Sequence, residues 1–193
     1  MLRKKNVWND RRVVLALGML CLAALVLAAC NSKSTSAASH PTPTPAARAV
    51  VALPAGFTTY KGTTFHVAYP SGWKQANPPN GTGVQYTGPT NQVFTAASLG
   101  NIQQTPQAFD TAFCGQAGFG GTPTGATKIV KIDGASWMQQ ECTNAKDGKT
   151  AVVESTVHNK NLYYMAYSSP TAGFQANKTH YFTPMEQSFT FAA

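Results

Sequence analysis

The second half of the chain contains runs in which apolar and polar side chains alternate, a pattern typical of β-strands that bury one face. Four such runs follow one another: residues 127–132, 135–143, 150–158 and 162–168. The pairs that separate them favour tight hairpin turns: Asp133-Gly134, Asp147-Gly148 and Asn159-Lys160. Because connections this short join antiparallel neighbours, the pattern predicts a four-stranded antiparallel meander.

The last of these runs differs from the others, because residues 162–167 are apolar on both faces. Such a strand is typical of the centre of a sheet that is covered on both sides. Earlier in the chain, Tyr60 to Tyr69 alternates as one strand and stops at Pro70-Ser71-Gly72. Residues 81–86 and 92–99 predict two further strands.

A first helix is predicted between the early strands and the meander. Thr105-Pro106 supplies an N-cap residue and a proline at the first helical position. Phe109, Ala112 and Phe113 follow at helical spacing.

A second helical pattern lies near the C-terminus, with an apolar stripe made of Phe174, Tyr181, Met185 and Phe189. Pro184 must kink or restart this helix, and a capping-box pattern from Thr183 to Glu186 favours two consecutive helices. The order of the elements predicts an α+β fold in which one antiparallel β-sheet is flanked by helices.

The N-terminus has the build of an export signal, a basic segment followed by an uncharged apolar run from Val13 to Ala29. The run ends in Leu27-Ala28-Ala29-Cys30, which resembles a bacterial lipobox. That resemblance implies a diacylglyceryl thioether on Cys30 and cleavage before it. The alternative is an uncleaved membrane helix, which would extend about 25 Å. Both alternatives place the rest of the chain outside the membrane, because the basic residues stay in the cytoplasm.

These features predict three parts: a lipoprotein signal peptide over residues 1–29, a Ser/Thr/Pro-rich linker over 30–51, and a globular domain over 52–193. The linker composition cannot bury a core, whereas the last part has the size of one domain. The predicted location is therefore the extracytoplasmic side of the cell membrane, and the membrane is a partner through the lipid on Cys30.

The high positive charge of the chain, +8, belongs largely to its N-terminal part. From Ala52 onward there are eight lysines, no arginine and six acidic residues, which give a net charge of +2. Arginine is the residue that best recognises phosphates and base edges. A domain without arginine is a poor candidate for nucleic-acid binding, so we expect no nucleic-acid partner.

Two of the four cysteines are available to the folded domain, since Cys21 lies in the signal and Cys30 at the lipobox. Cys114 and Cys142 form an even pair in an exported, disulfide-permissive setting. A bridge between them would stabilise the fold by roughly 3–4 kcal/mol on the chain-entropy model. The alternatives, a metal site or a reactive thiol, lack the C-x-x-C spacing that would favour them.

The domain contains few residues in arrangements typical of catalysis or metal binding. Glu154 and His158 share one face of a predicted strand, but four positions separate them by roughly 13 Å, too far to share one ion. We expect both to face solvent near a hairpin, and His66 and His180 to be surface or core side chains. No catalytic residue, metal ligand or cofactor is predicted.

Three short motifs resemble those of PsbP-like domains: Phe65–Trp73 (Phe-His-Val-Ala-Tyr-Pro-Ser-Gly-Trp), Ile132–Trp137 (Ile-Asp-Gly-Ala-Ser-Trp) and Phe182–Phe191, which ends in Ser-Phe-Thr-Phe. The resemblance covers most of residues 52–193 and implies an α/β/α sandwich built on an antiparallel sheet. In that fold Trp73 would plug the core, and Phe189 and Phe191 would seal it. Relatives in plants and cyanobacteria are extrinsic proteins of photosystem II, a role that no stretch of this chain indicates.

We therefore expect a membrane-anchored lipoprotein that acts as a non-catalytic binding or interaction module of the cell envelope. Its partner would be an unknown envelope protein or a small ligand. The alternatives are a metal-handling accessory protein for calcium or zinc, and an envelope enzyme with an unrecognised site. A pocket that collects His and Asp/Glu side chains would favour these alternatives, whereas a surface with aromatic side chains would favour the binding module.

Overall fold

A computed structural model describes residues 52–115 and 118–192 of the chain. The predicted signal peptide, the linker and Cys30 lie outside these residues. The described residues belong to one compact unit of the chain, residues 47–193. Every strand, helix and core residue described below lies in this unit, and because it holds its own hydrophobic cores we expect it to fold by itself. Within the described part of the chain, no helix is long and apolar enough to cross a membrane.

The described residues form ten strands in two antiparallel sheets. The strands are β1 (Phe57–Lys61), β2 (Phe65–Pro70), β3 (Lys74–Ala76), β4 (Thr82–Thr87), β5 (Val93–Gly100), β6 (Thr122–Ile132), β7 (Ala135–Asn144), β8 (Lys149–His158), β9 (Asn161–Pro170) and β10 (Thr190–Phe191). The larger sheet has the order β3-β4-β5-β9-β8-β7-β6 and the smaller sheet the order β1-β2-β10.

The predicted meander is confirmed as β6 to β9, and β9 lies at the centre of the seven-stranded sheet, as its two apolar faces indicate. Its hairpins depend on local turn chemistry. Asn159 and Lys160 both have positive φ (47° and 65°), as do Asp133 and Gly134 (51° and 74°). Two successive positive φ angles match the right-handed twist of the strands that such a turn connects.

The first part of the fold differs from the prediction of one strand from Tyr60 to Tyr69. The chain turns at residues 62–64, where the Gly62 N–H donates to the Phe65 carbonyl at 3.0 Å. The two halves therefore become the hairpin β1–β2. This hairpin joins β10 in a sheet of its own, which the sequence pattern did not indicate.

Helix α1 (Pro106–Cys114) begins as predicted, because the Thr105 side chain accepts a hydrogen bond from the Ala108 N–H at 3.2 Å. The C-terminal helical segment runs through a 3₁₀ turn (Thr171–Gly173), α2 (Phe174–Asn177), a π-helical turn (Lys178–Phe182) and α3 (Thr183–Gln187). Thr183 itself has helical angles (φ −59°, ψ −46°), so it does not cap a separate helix. The wider π turn accommodates Pro184, which lacks an N–H.

Two apolar cores lie on opposite faces of the seven-stranded sheet. The larger core is closed by the three-stranded sheet and the C-terminal helical segment, and it contains Phe65, Trp73, Trp137, Phe182, Met185 and Phe189. The smaller core lies under α1 and contains Cys114, Cys142, Val153, Leu162 and Tyr164. Helices thus cover both faces of an antiparallel sheet, which confirms the α+β prediction. Trp73 and Phe189 are buried, and Phe191 packs against the larger core.

Candidate functional site

Helix α1 is too small to cover the sheet face on which it lies. Seven strands about 4.8 Å apart span roughly 30 Å, whereas a helix is about 10 Å wide. The nine residues of α1 pack on β7 and β8. The neighbouring face of β4, β5 and β9 lies beside the helix and forms the floor of a cleft of about 400 Å³. This volume suits a small organic ligand.

The walls of the cleft are aromatic and its floor is made of smaller side chains. Phe109 and Phe113 project from α1, and Phe119 lies just beyond the helix. On the central strand, Tyr164 and Ala166 face the cleft, whereas the intervening positions point into the larger core. Alternation along β9 therefore places bulky side chains on the covered face and leaves space over Ala166 on the other.

The polar groups of the cleft are neutral. The Gln85 side-chain amide donates to Thr95 Oγ1 at 3.1 Å, and the Tyr164 hydroxyl donates to the Asn80 carbonyl at 3.3 Å. Burial raises the pKa of Tyr164 to about 12, so its phenol remains protonated near neutral pH. None of the described lining residues carries a formal charge. The arrangement fits a neutral and mostly apolar ligand.

A buried hydrogen bond holds α1 against the sheet behind this cleft. Ser155 Oγ on β8 lies 2.6 Å from Asp110 Oδ1 and 3.1 Å from the Pro106 carbonyl oxygen. Asp110 is buried, and its Oδ2 atom has no hydrogen-bond partner among the described residues. Burial raises the pKa of Asp110 to about 7, although the Ser155 hydrogen bond opposes the shift. The next residue along the chain from Phe109 is therefore an acid that titrates near neutral pH.

The expectation that Glu154 faces solvent is wrong, because Glu154 is fully buried in the face covered by the C-terminal helical segment. Gln139 Nε2 donates to Glu154 Oε1, and the Tyr167 hydroxyl donates to Glu186 Oε2 at 3.3 Å. Burial, followed by repulsion from Glu186, holds the pKa of Glu154 well above its usual range. Burial also raises the pKa of Glu186, which Lys178 and Tyr167 lower. The sequence contained a signal for this burial. The meander places β8 next to the central strand β9, and the sheet is covered on both faces there, so Glu154 could not face solvent.

The histidines that were considered as site residues do not lie together with Glu154. The His158 ring stacks on Phe191 with centroids 3.9 Å apart, whereas Glu154 points into the interior. His66 is half-buried on β2, and His180 is exposed. Within residues 52–115 and 118–192, no group of three His, Cys, Asp or Glu side chains is placed to hold a metal ion.

Cys114 and Cys142 lie at disulfide distance, with Cα atoms 5.6 Å apart. Cys114 is the last residue of α1, and Cys142 lies on β7 beneath it. Both side chains are completely buried. The pair is therefore placed to fix the C-terminal end of α1, the helix that forms a wall of the cleft.

No protein-family model matches the chain, and no curated protein is similar to it in sequence. Among solved structures, the fold is similar to the solution structure of cyanobacterial PsbP (CyanoP) from Synechocystis sp. PCC 6803. The TM-score is 0.54 at 13% sequence identity, over 78% of this chain and all of that protein. An identity this low supports a shared fold and nothing more specific. The chain thus has a PsbP-like fold, as its three short motifs predict.

Proposed function

We propose that this protein is a non-catalytic binding module of the cell envelope, held at the membrane by lipid on Cys30, that takes a neutral, largely apolar small ligand. The observation that carries the proposal is the cleft beside α1. Its volume of about 400 Å³ lies in the range of small-molecule sites, and three phenylalanines and Tyr164 line it.

The chemistry of the cleft favours binding over catalysis. General acid–base catalysis needs a titratable side chain within hydrogen-bond reach of the substrate. The described lining residues supply amides, hydroxyls and aromatic rings, and the phenol of Tyr164 titrates far above neutral pH. Such groups orient a ligand and stabilise it by burial of apolar area.

The tether complements a binding role. A linker over residues 30–51, rich in Ser, Thr and Pro, would join the lipid on Cys30 to the folded unit. Tethering raises the effective concentration of the module near the membrane, so a ligand of modest affinity could be collected there. The lipid anchor is supported by the lipobox resemblance, whereas the ligand site is supported by the cleft, so either one could be wrong without the other.

A titration of residues 47–193 with two related dyes tests the ligand class. N-phenyl-1-naphthylamine is neutral, and 8-anilino-1-naphthalenesulfonate is its anionic relative. We expect saturable 1:1 binding of the neutral dye, detected by its fluorescence, and binding of the anionic dye at least tenfold weaker, because a sulfonate entering an apolar cleft loses its hydration. Equal affinity for both dyes, or no saturable binding, would contradict the proposed ligand class.

A further inference from the structure

A second surface lies on the same face of the sheet as α1, on the side away from the cleft. Ile129 on β6 and Val157 on β8 are large apolar side chains that remain 68% and 51% exposed. The register places Ile129 opposite Met138, and Met138 opposite Ser155. Val157 follows Ser155 by two positions and so shares its face. We call these three apolar side chains (Ile129, Met138 and Val157) the hairpin patch.

Lysine side chains flank the hairpin patch. Lys131 follows Ile129 by two positions on the same face, and its ammonium group donates to Ser136 Oγ at 2.6 Å. Lys160 lies in the β8–β9 turn, three residues beyond Val157. The β6–β7 and β8–β9 turns lie at the same end of the sheet, because β7 and β8 are antiparallel.

The acidic residue at this end, Asp133, is engaged inside the protein. Its Oδ2 atom accepts a hydrogen bond from the Phe191 N–H at 2.9 Å. The Asp110 carboxyl contacts Ser155 beside the patch, but it is buried beneath α1. Glu154 is buried on the opposite face of the sheet, beneath the C-terminal helical segment. The flanking charge that the patch presents is therefore positive.

We propose that the hairpin patch docks on the surface of an anionic lipid bilayer. Ile129, Met138 and Val157 would enter the interface between headgroups and acyl chains, and Lys131 and Lys160 would contact the anionic headgroups. Each lysine keeps a flexible stem and a compact charge, which suits a fluid surface of headgroups. The proposal rests neither on the cleft nor on the lipid predicted at Cys30.

The small size of the patch favours a bilayer over a protein partner. A stable protein interface buries about 800 Å² on each partner, far more than three side chains provide. A membrane surface needs only a few apolar side chains and neighbouring cations, and the contribution of each lysine depends on anionic lipid and on salt.

Vesicle sedimentation of residues 47–193 tests the proposal. Two vesicle types are compared, one of phosphatidylcholine with two-fifths phosphatidylglycerol and one of phosphatidylcholine alone. We expect binding to the anionic vesicles that weakens as salt is added, and partitioning at least fivefold lower on the zwitterionic vesicles. Equal partitioning on both, or no binding to either, would overturn the proposal, and the second result would favour a protein as the partner of the patch.

Matched variants locate the contact. The double variant Ile129→Ser/Val157→Ser should reduce partitioning on anionic vesicles about tenfold, because it removes apolar side chains that enter the interface. Leu53→Ser changes a third exposed apolar residue and should leave partitioning unchanged.

The charge is tested in the same way. Lys131→Gln and Lys160→Gln should each reduce partitioning about fivefold. The pair Lys74→Gln/Lys146→Gln removes two exposed lysines elsewhere and should have a smaller effect than Lys131→Gln alone. If the patch variants and the control variants behave alike, the hairpin patch is not the docking surface.

Discussion

Ser155 Oγ on β8 donates a hydrogen bond of 2.6 Å to Asp110 Oδ1 on α1, and this buried pair attaches the helix to the sheet. Cys114, the last residue of the same helix, lies at disulfide distance from Cys142 on β7. Helix α1 is therefore held at two points. Because Phe109 and Phe113 form a wall of the cleft, the two attachments also determine the shape of the proposed binding site.

The buried carboxyl of Asp110 predicts that stability falls as the pH rises. Its pKa is raised from 3.8 in a model peptide to about 7 in the folded protein. The folded state therefore binds the Asp110 proton more tightly than the unfolded state does. The stability that this proton contributes is present below about pH 4 and is lost as the pH rises to about 7. A difference of about three pKa units corresponds to about 4 kcal/mol. Asp110→Asn, which mimics the protonated acid, should remove this loss.

Urea unfolding at several pH values measures the effect. We expect Asp110→Asn and the unmodified protein to be similarly stable near pH 4, and the variant to be more stable by a few kcal/mol above pH 7. Ser155→Ala should move the loss to higher pH, because the hydrogen bond from Ser155 lowers the pKa of Asp110. If the free energies of unfolding of Asp110→Asn and the unmodified protein differ by the same amount at every pH in this range, the pKa of Asp110 is not raised in the folded protein.

A second pH effect is predicted for the carboxyl pair under the C-terminal helical segment. The pKa values of Glu154 and Glu186 are both raised by burial, and the Glu186 carboxyl raises that of Glu154 further. Stability should again fall as the pH rises through these pKa values. Glu154→Gln keeps an acceptor for Gln139 and should be more stable than the unmodified protein in alkaline solution.

Infrared spectroscopy gives an independent measurement of this pair, because a protonated carboxyl has a C=O stretching band that a carboxylate lacks. In the Asp110→Asn background, which removes the other buried acid, the band should persist above the usual range of glutamate titration. It should be lost when Glu154→Gln and Glu186→Gln are added to that background. Lys178→Met should extend the band to higher pH, because Lys178 lowers the pKa of both groups. Lys74→Met, which alters an exposed lysine in the short edge strand β3, serves as the control.

The cysteine pair predicts a large loss of stability when both thiols are removed. If Cys114 and Cys142 are bonded, Cys114→Ala/Cys142→Ala should lower the free energy of unfolding by roughly 3–4 kcal/mol. It should also weaken dye binding, because Cys114 is adjacent to Phe113 in the cleft wall. The measurements are urea unfolding and thiol labelling of the unreduced protein. Two reactive thiols in the native protein would show that the bond is absent.

The anchor prediction is tested on the full chain. Expression of the full chain in a bacterial host, followed by mass spectrometry, should reveal a lipid-modified Cys30 at the N-terminus. Cys30→Ser should abolish both the modification and the cleavage that precedes it. An unmodified chain that retains residues 1–29 would favour the alternative, an uncleaved membrane helix.

The sequence could predict the meander and the central strand because both depend on local chemistry. The turn pairs Asp133-Gly134 and Asn159-Lys160 adopt the positive φ angles that hairpins need. The apolar run from Leu162 to Tyr167 indicates a strand covered on both faces. The N-cap at Thr105 is equally local and is confirmed.

The cleft and the carboxyl pair could not be predicted, because both depend on contacts between residues far apart in sequence. The cleft exists because α1 packs mainly on β7 and β8 and leaves the face of β4, β5 and β9 beside it, a result of strand order rather than of any motif. Glu154 and Glu186 approach each other when the C-terminal helical segment packs on the sheet. The pairing of β10 with β2 likewise depends on just two residues, Thr190 and Phe191.

A blocking substitution in the cleft tests the central claim most directly. Ala112 lines the cleft from α1 and is exposed, so Ala112→Trp should fill the space without disturbing a core. Thr111→Trp introduces the same side chain at an exposed position of α1 that does not line the cleft and is not on the stripe of Ala112. We predict that Ala112→Trp reduces the affinity for N-phenyl-1-naphthylamine at least tenfold, and that Thr111→Trp leaves it unchanged. Equal affinities for the two variants would show that the cleft is not the binding site.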